Sequence, residues 1–483
     1  MLFNSLEYII FLPVVFFVYW FFLKKKLQTQ NLFLLITSYF FYGFWDWRFL
    51  FLILASTIVD FFVGQRIYSS TTNRKKKSWL GFSILFNLGL LGFFKYYNFF
   101  IDSWVDLISI FGYELNSIWT LKIILPVGIS FYTFQTMSYS FDIYHKKIKP
   151  TRDFISFATF VSFFPQLVAG PIERASNLLP QILNKRVFEY NQAVNGLKLI
   201  LWGFFKKLVI ADALAPIVDD IFTNYTHYSS GTLITGVFFF AFQIYGDFSG
   251  YSDIAIGTAK LFGIELSPNF RFPYFSRNIA EFWRRWHISL SRWFRDYLYI
   301  PLGGSKAGTW ISIRNVFIIF LVSGFWHGAN WTFIVWGAIH AFMFLPLFLT
   351  NNNRNHLSTT IAEKTILPSA KEFFQIIMTF ILVTFSWIFF RAESLAHAWE
   401  YLKAIFINDT IISYNNPFGY RMIDYYIMII LFVIYEYCIR KDERAPFNFK
   451  SRYVRFLIYA ILLLAILLFY DDQIDRSFIY FQF

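Results

Sequence analysis

Long apolar runs recur along the whole chain, and they limit its possible folds more than any other feature. The runs 8–23, 373–390 and 454–469 contain almost no charged residue. A helix of about 20 such residues crosses the apolar core of a bilayer with every backbone polar group paired internally. The sequence therefore predicts an all-α, polytopic integral membrane protein. We expect about eleven transmembrane helices, with re-entrant or interfacial helices, around a central chamber.

The basic residues are concentrated between the apolar runs, which argues against a nucleic-acid partner despite a formal net charge of +13. Clusters occur at 24–26, 74–77 and 146–147. Cytoplasmic loops of membrane proteins carry such an excess of lysine and arginine. The first apolar run has no basic residue before it, so we expect it to stay as a membrane helix rather than to be cleaved as a signal peptide.

Residues 281–340 carry the side chains best suited to chemistry, including three of the seven histidines, His287, His327 and His340. An ionisable side chain in an apolar run is costly to place and often marks a pathway or a reaction site. His327 lies between two glycines, which permit close approach of the backbone. From the residues alone, an interhelical histidine held by hydrogen bonds remains an open interpretation of His327, and we expect His340 to pack in the core.

Metal binding is not predicted. The single cysteine, Cys438, excludes an intramolecular disulfide and a multi-cysteine zinc site. The three histidines of 281–340 are 40 and 13 residues apart, so no pair has the i,i+4 spacing of a helical zinc site.

The segment 279–297 has the pattern of a helix that lies on the membrane surface. At about 100° per residue, one face collects seven apolar side chains, Ile279, Phe282, Trp283, Trp286, Leu290, Trp293 and Tyr297. The basic side chains Arg284, Arg285, Arg292 and Arg295 share another face. A basic face opposite tryptophans is typical of an interfacial helix at an anionic leaflet. His287 falls at the border of the two faces.

Several polar residues in apolar surroundings are candidates for lining a chamber, namely Asp247, Asp253, Ser323 and Asn330. Polar groups at membrane depth have to be enclosed by protein or water. Packing of helices through the small residues of 245–253 is the alternative. Ser323 precedes His327 by four residues, so a helix would stack the two side chains as a serine–histidine pair.

Seven motifs resemble those of the membrane-bound O-acyltransferase family, and within it the alginate O-acetyltransferase branch. They are FWRRWHISLS, RDYLYIPLGG, FWHGANWTFIVWG, FFPQLVAGPIER (163–174), QIYGDFSGYSDIAIG (243–257), NFRFPY (269–274) and the terminal FIYFQF (478–483). The resemblance implies that His327, in the WHG motif, is catalytic and that His287 is the second family histidine, with a supporting role in orienting substrate.

The resemblance also implies an activity. We expect an O-acyltransferase of the bacterial cytoplasmic (inner) membrane that takes acetyl from cytoplasmic acetyl-CoA and delivers it outward to an envelope or secreted polysaccharide. An extracytoplasmic partner protein would complete the transfer. Acetyl-CoA is then a substrate, and no bound cofactor is expected. Neutral imidazole is a serviceable general base near neutral pH.

Two further roles follow from this expectation. Coenzyme A phosphates require cations, for which the candidates are Arg284, Arg285, Arg292, Lys206 and Lys207; the two lysines lie in 195–215, predicted as a re-entrant or interfacial segment. Tyr480 is a candidate acyl-accepting nucleophile, because related envelope-acylating systems carry a similar C-terminal tyrosine. An aromatic-belt residue is the alternative for Tyr480.

The chain divides by motif into 1–120, N-terminal transmembrane helices; 121–350, a catalytic core; and 351–483, C-terminal transmembrane helices with an extracytoplasmic terminal motif. Two other functions stay open. One is a D-alanyl transferase that uses a carrier-protein thioester. The other is a non-enzymatic polysaccharide or lipid transporter, which would need a polar path but no histidine.

Overall fold

The computed structural model describes residues 1–112, 119–168, 170–306, 308–357, 359–408, 414–416, 421–470 and 478–481. These residues form helices joined by turns and short loops, with no strand among them. Ala169 in the motif 163–174, and Gln482 and Phe483 in the terminal motif, lie outside the described residues. The predicted all-α architecture is confirmed.

The helices group into two compact units. Unit 1 comprises residues 1–193 and 258–267. Its helices are α1 Leu6–Phe17, α2 Leu27–Asp46, α3 Leu50–Ser69, α4 Asn73–Leu91, α5 Tyr97–Ile110, α6 Ile129–Tyr144, α7 Phe154–Ser162, α8 Phe164–Leu167 and α9 Ala175–Leu183. Three buried side chains, Ser83, Asn87 and Ser140, donate to the buried carboxylate of Asp60 inside this unit.

Unit 2 comprises residues 194–257 and 268–483. The helices wholly or mainly within it are α10 Tyr190–Phe204, α11 Ala213–Thr223, α12 Ser230–Leu261, α13 Ile279–Arg285, α14 Ile288–Phe294, α15 Thr309–His327, α16 Trp331–Leu349, α17 Ala370–Arg391, α18 Leu395–Ile407, α19 Met422–Ile439 and α20 Arg452–Phe469. The three-part division by motif stays a prediction.

Eight helical segments of the described chain are long and apolar enough to cross a membrane. Two shorter apolar helical segments, Leu6–Phe22 and Phe154–Leu167, accompany them. Helix α20 exposes most of its apolar surface, since only 6% of its most apolar 18-residue stretch is buried. A helix with so much exposed leucine and phenylalanine is stable only against lipid or another apolar surface. The chain is therefore a multi-pass membrane protein.

Helices α15 and α16 meet through two glycines, and this contact fixes the end of α15. A Cβ on Gly324 would lie 2.2 Å from the carbonyl oxygen of Phe333, and one on Gly337 would lie 2.3 Å from that of Phe320. Only glycine allows backbones this close. Gly324, three residues before His327, therefore serves helix packing.

The single helix predicted over 279–297 is wrong. The chain forms α13 and α14, separated by an extended Trp286 and a left-handed His287, and then a π-helical turn over Arg295–Tyr299. All seven residues of the predicted apolar face are buried. Trp286, for example, packs against Trp387 and Phe270 at ring-centroid distances of 5.2 Å and 5.1 Å. The tryptophans thus face the protein interior, because other aromatic rings of unit 2 cover them.

The segment 195–215 is a continuous helical stretch in which α10 passes through a π-helical turn, Phe205–Asp212, into α11. Helix α12 runs close beside this turn. A Cβ on Gly250 would lie 3.0 Å from the amide nitrogen of Lys207. The close approach brings the aspartates of α12 within reach of both lysines in the turn.

Candidate active site

His327 is the last residue of α15, and its side chain is 2% exposed. A Cβ on the next residue, Gly328, would lie 2.0 Å from the ring of Phe333, so the chain can turn here only because residue 328 is glycine. Asn330 then caps α16. Its side-chain oxygen accepts from the amide of Thr332 at 3.0 Å, and its side-chain nitrogen donates to the carbonyl of Glu393 at 2.8 Å. Asn330 therefore orders the turn that follows His327.

His287 lies in the left-handed region, with φ 43° and ψ 54°, which non-glycine residues seldom enter outside strained or functional sites. Its Nδ1 is 3.1 Å from Oδ1 of Asn269, which also accepts from the backbone amide of Ser289 at 3.3 Å. Because that oxygen only accepts, Nδ1 carries the proton and Nε2 keeps its lone pair. Nε2 has no hydrogen-bond partner among the described residues. Burial lowers the pKa of His287 to about 3, so the ring is neutral at physiological pH.

Tyr480, from the other end of unit 2, completes a triangle of rings with the two histidines. Its ring centroid lies 5.4 Å from that of His327 and 6.5 Å from that of His287. The two imidazole centroids are 6.3 Å apart. At these distances the rings share one small site, in which a phenol and two imidazoles stand close enough to exchange a proton with one reacting group.

The segment that carries Tyr480 is tethered to α12. The amide of Ile479 donates to Oδ2 of Asp247 at 2.6 Å, and Oδ1 of Asp247 lies 2.8 Å from Nζ of Lys207. Lys207 also reaches Asp212 at 2.8 Å. Burial alone would lower the pKa of Lys207, but the carboxylates of Asp247 and Asp212 raise this pKa above its ordinary value. Asp247 therefore acts as a charged anchor for the terminal segment.

Aromatic packing holds the same segment from the side. The ring of Phe478, which is fully buried, lies 4.7 Å from that of Tyr251 and 5.4 Å from that of Phe248. Phe248 also contacts Tyr480 at 4.5 Å and His287 at 4.6 Å, again between ring centroids. Phe248 thus contacts both the terminal segment and the second histidine.

A cavity of about 680 Å³ lies among α14, α15 and the C-terminal end of α16. Three cations, Arg295, Lys306 and Arg354, line the cavity, together with Tyr299 and Asn351. The rings of Trp283 and Phe320 and the side chain of Ser323 also line it. Since residues four apart on a helix are neighbours, Ser323 brings this cavity to within one helical turn of His327.

The predicted donor-binding cations lie elsewhere. Lys206 pairs with Asp253 at 2.6 Å, and Lys207 pairs with Asp247 and Asp212, as described above. Arg284 donates to the carbonyls of Asn353 and Asn355, at 2.8 Å and 2.7 Å. Arg285 pairs with Glu281 at 2.7 Å, and Arg292 is exposed. None of the five is among the described residues that line the cavity.

Sequence reasoning missed part of this arrangement. Arg295 belongs to the basic face predicted for 279–297, and Lys306 follows that segment in the chain, but Arg354 lies in a polar loop with no distinguishing pattern. His340 is expected to pack, and it does: it is fully buried with both ring nitrogens hydrogen-bonded. Of the predicted chamber-lining residues, the structure places Ser323 on the cavity wall.

Comparison with known proteins identifies the class. The profile described as "MBOAT, membrane-bound O-acyltransferase family" matches residues 148–390. The chain is 40% identical to the probable alginate O-acetylase AlgI of Azotobacter vinelandii, over 84% of this chain and 78% of the relative. It is 33% identical to the peptidoglycan O-acetyltransferase of Helicobacter pylori, over 100% of this chain and 98% of the relative. It is 29% identical to the teichoic acid D-alanyltransferase of Bacillus subtilis, over 44% of this chain.

The chain therefore belongs to the membrane-bound O-acyltransferase family, and it is an O-acyltransferase of the multi-pass membrane type.

Proposed function

We propose that this protein is an O-acetyltransferase of the bacterial cytoplasmic membrane that moves acetyl from acetyl-CoA to hydroxyl groups of an envelope or secreted polysaccharide. The observation that carries this proposal is the placement of the Tyr480 ring 5.4 Å from that of His327, beside His287. A phenol, a general base and a second imidazole converge there in a buried site. Such a set suits a hydroxyl nucleophile that has to be deprotonated.

The first step loads the enzyme. His327 takes the phenolic proton of Tyr480, and the phenolate oxygen attacks the thioester carbonyl carbon. The carbon–sulfur bond breaks, the coenzyme leaves, and its sulfur receives the proton from His327. The acetyl group now forms an ester with Tyr480. A phenol ionises near pH 10 in water, so the step requires the adjacent base.

The second step unloads it. A sugar hydroxyl gives its proton to His327 as its oxygen attacks the ester carbonyl. The bond to the phenolic oxygen breaks, the phenol regains a proton, and the sugar carries the acetyl group. The Nε2 lone pair of His287 can accept a hydrogen bond from the sugar hydroxyl or from the Tyr480 phenol, which is an orienting role. An extracytoplasmic partner protein that presents the polysaccharide is part of this proposal.

The cavity beside α15 is proposed as the donor site. It is lined by Arg295, Lys306 and Arg354, and coenzyme A phosphates require such cations. Its wall reaches Ser323, one turn before His327. This assigns the donor phosphates to cations other than the five predicted from the sequence.

Two relatives named for O-acetylation, of alginate and of peptidoglycan, are matched over most of this chain. The D-alanyltransferase relative is matched over less than half of it. This difference favours acetyl over D-alanyl and leaves the carrier-protein thioester as the second candidate.

Intact-protein mass spectrometry after incubation of the purified protein with isotopically labelled acetyl-CoA tests the proposal. Wild type should gain one acetyl mass located on Tyr480, and Tyr480→Phe and His327→Ala should gain none. Thiol release without label on wild type would replace the tyrosine ester with direct transfer. No thiol release would point to a carrier-protein donor. If loss of the protein stops polysaccharide export and the His327→Ala variant restores it, the protein is a transporter.

A further inference from the structure

The indole ring of Trp283 forms part of the wall of the donor cavity. The ring lines the cavity, is 9% exposed, and stands 5.4 Å from the ring of Phe320 on α15. It also contacts Trp336 at 5.7 Å, and Trp336 contacts His327 at 5.2 Å, both between ring centroids. Trp283 therefore connects the cavity wall to His327 through one further ring, that of Trp336.

His340 fixes the orientation of this indole. Nε1 of Trp283 donates to Nδ1 of His340 at 3.2 Å, so the proton of the imidazole is on Nε2, which lies 2.9 Å from Oγ of Ser386. That hydroxyl donates to the carbonyl of Val383 at 2.7 Å. The imidazole is also stacked nearly parallel to Phe282 and Phe320, with interplanar angles of 7° and 17°. Each hydrogen bond from Trp283 to Val383 thus has a matched donor and acceptor, and this fixes the orientation of the indole ring.

We infer that Trp283, oriented by His340, is the specificity-determining wall that restricts this enzyme to short acyl groups; this rests on the proposed function. If the thioester carbonyl reaches His327 and Tyr480 from the cavity, carbons beyond the acetyl methyl need space beside the aromatic rings between the cavity and His327. Trp283 and Trp336 are both buried there, with ring centroids 5.7 Å apart. A rigid aromatic wall rejects extra methylene groups by overlap, since a close-packed interior does not expand at low cost.

The test compares thiol release from acetyl-CoA, butyryl-CoA and hexanoyl-CoA in membranes that contain each variant. Wild type should prefer acetyl-CoA. Trp283→Ala should raise the butyryl-to-acetyl ratio of kcat/KM at least about tenfold, because one methylene in an apolar pocket is worth about 10- to 200-fold. His340→Leu, which keeps the indole but removes its fixing hydrogen bond, should raise the ratio by a smaller factor.

Phe348→Ala is the matched control. Phe348 also lines the cavity with an aromatic ring, but it lies about two helical turns beyond His340 on α16. Its removal enlarges the cavity away from His327, so the ratio should stay within about twofold of wild type.

The outcomes separate the two proposals. If wild type releases no thiol from any of the three donors, the proposal that acyl-CoA is the donor is wrong. Wild type and Trp283→Ala that both release thiol with the same chain-length preference overturn only the role of Trp283. Should Trp283→Ala fail to accumulate, Trp283→Leu replaces it. If Trp283→Ala, Trp283→Leu and His340→Leu are all absent from the membrane, Trp283 is a structural residue and the inference is overturned.

Discussion

The backbone amide of Ile479 donates to the carboxylate of Asp247 at 2.6 Å, and 232 residues of sequence separate the two. This bond, one residue before Tyr480, sets where the phenol lies relative to both histidines. It is made from a backbone donor, so it depends on Asp247 and on the segment's conformation rather than on a side chain of the segment.

Asp247→Ala should release the terminal segment. The amide of Ile479 would lose its acceptor, and Lys207 would lose one of its two carboxylate partners among the described residues. We expect transfer to fall about 100-fold, because misplacement of a reacting group by about 1 Å has that effect, and we expect faster hydrogen exchange in the peptide containing 478–480. Asp253→Asn, which disturbs the neighbouring ion pair with Lys206, is the control. If exchange in this peptide rises equally in both variants, Asp247 is not a specific anchor.

The role of the cavity cations can be tested by comparing acetyl-CoA with a shorter acetyl donor. Lys306→Gln and Arg354→Gln should each raise KM for acetyl-CoA about tenfold, because a charge-assisted contact contributes about 1.4 kcal/mol to binding. Neither variant should change KM for acetyl-pantetheine, which lacks the nucleotide phosphates. Arg292→Gln should leave KM for acetyl-CoA unchanged. The reverse result, an effect of Arg292 without one of Lys306 or Arg354, would support the sequence-based assignment and reject the cavity.

His287 predicts a pH dependence of stability. Its pKa is lowered by burial to about 3, against about 6.5 in an unfolded chain. The unfolded state therefore takes up a proton between these values that the folded state does not, and stability falls as pH drops below 6.5. At pH 5 the loss is about 2 kcal/mol. Apparent Tm in detergent should fall less for His287→Gln than for wild type between pH 7 and pH 5; equal falls would contradict a neutral, buried His287.

The crossing of α15 and α16 should not tolerate a side chain at its centre. Gly324→Ala would place a Cβ 2.2 Å from the carbonyl oxygen of Phe333, which forces the helices apart and moves His327. We expect a loss of about 1–3 kcal/mol, typical of overpacking, and a drop in transfer. Gly231→Ala is the control, because its Cβ would come no closer than 4.0 Å to a neighbouring side chain. Similar thermal stability of the two variants in detergent would exclude the tight crossing.

The sequence by itself determined the class of this protein, and its motifs indicated two candidate site residues. The apolar runs are long enough to cross a bilayer, and in lipid the backbone polar groups of such a run can pair only within a helix. Membrane-spanning helices therefore follow from the sequence, however they pack. His327 in the WHG motif and Tyr480 in the terminal motif were singled out by the resemblance of these motifs to those of related proteins; from the residues alone, an interhelical histidine and an aromatic-belt tyrosine stayed open. These features depend on neighbours along the chain, so a linear reading finds them.

Only the tertiary structure decided which contacts the polar residues of the site make. The periodicity of 279–297 suits a helix, but Asn269 and the aromatic core of unit 2 hold His287 in a left-handed turn that breaks it. Lys206 and Lys207 resemble ligand-binding cations in sequence, yet α12 supplies them with buried carboxylates. Arg354 has no sequence signal and is brought to the cavity by the fold. Each outcome depends on contacts between segments that are distant in the sequence. The packing energy of these contacts exceeds the local preference for secondary structure, and no local sequence pattern predicts them.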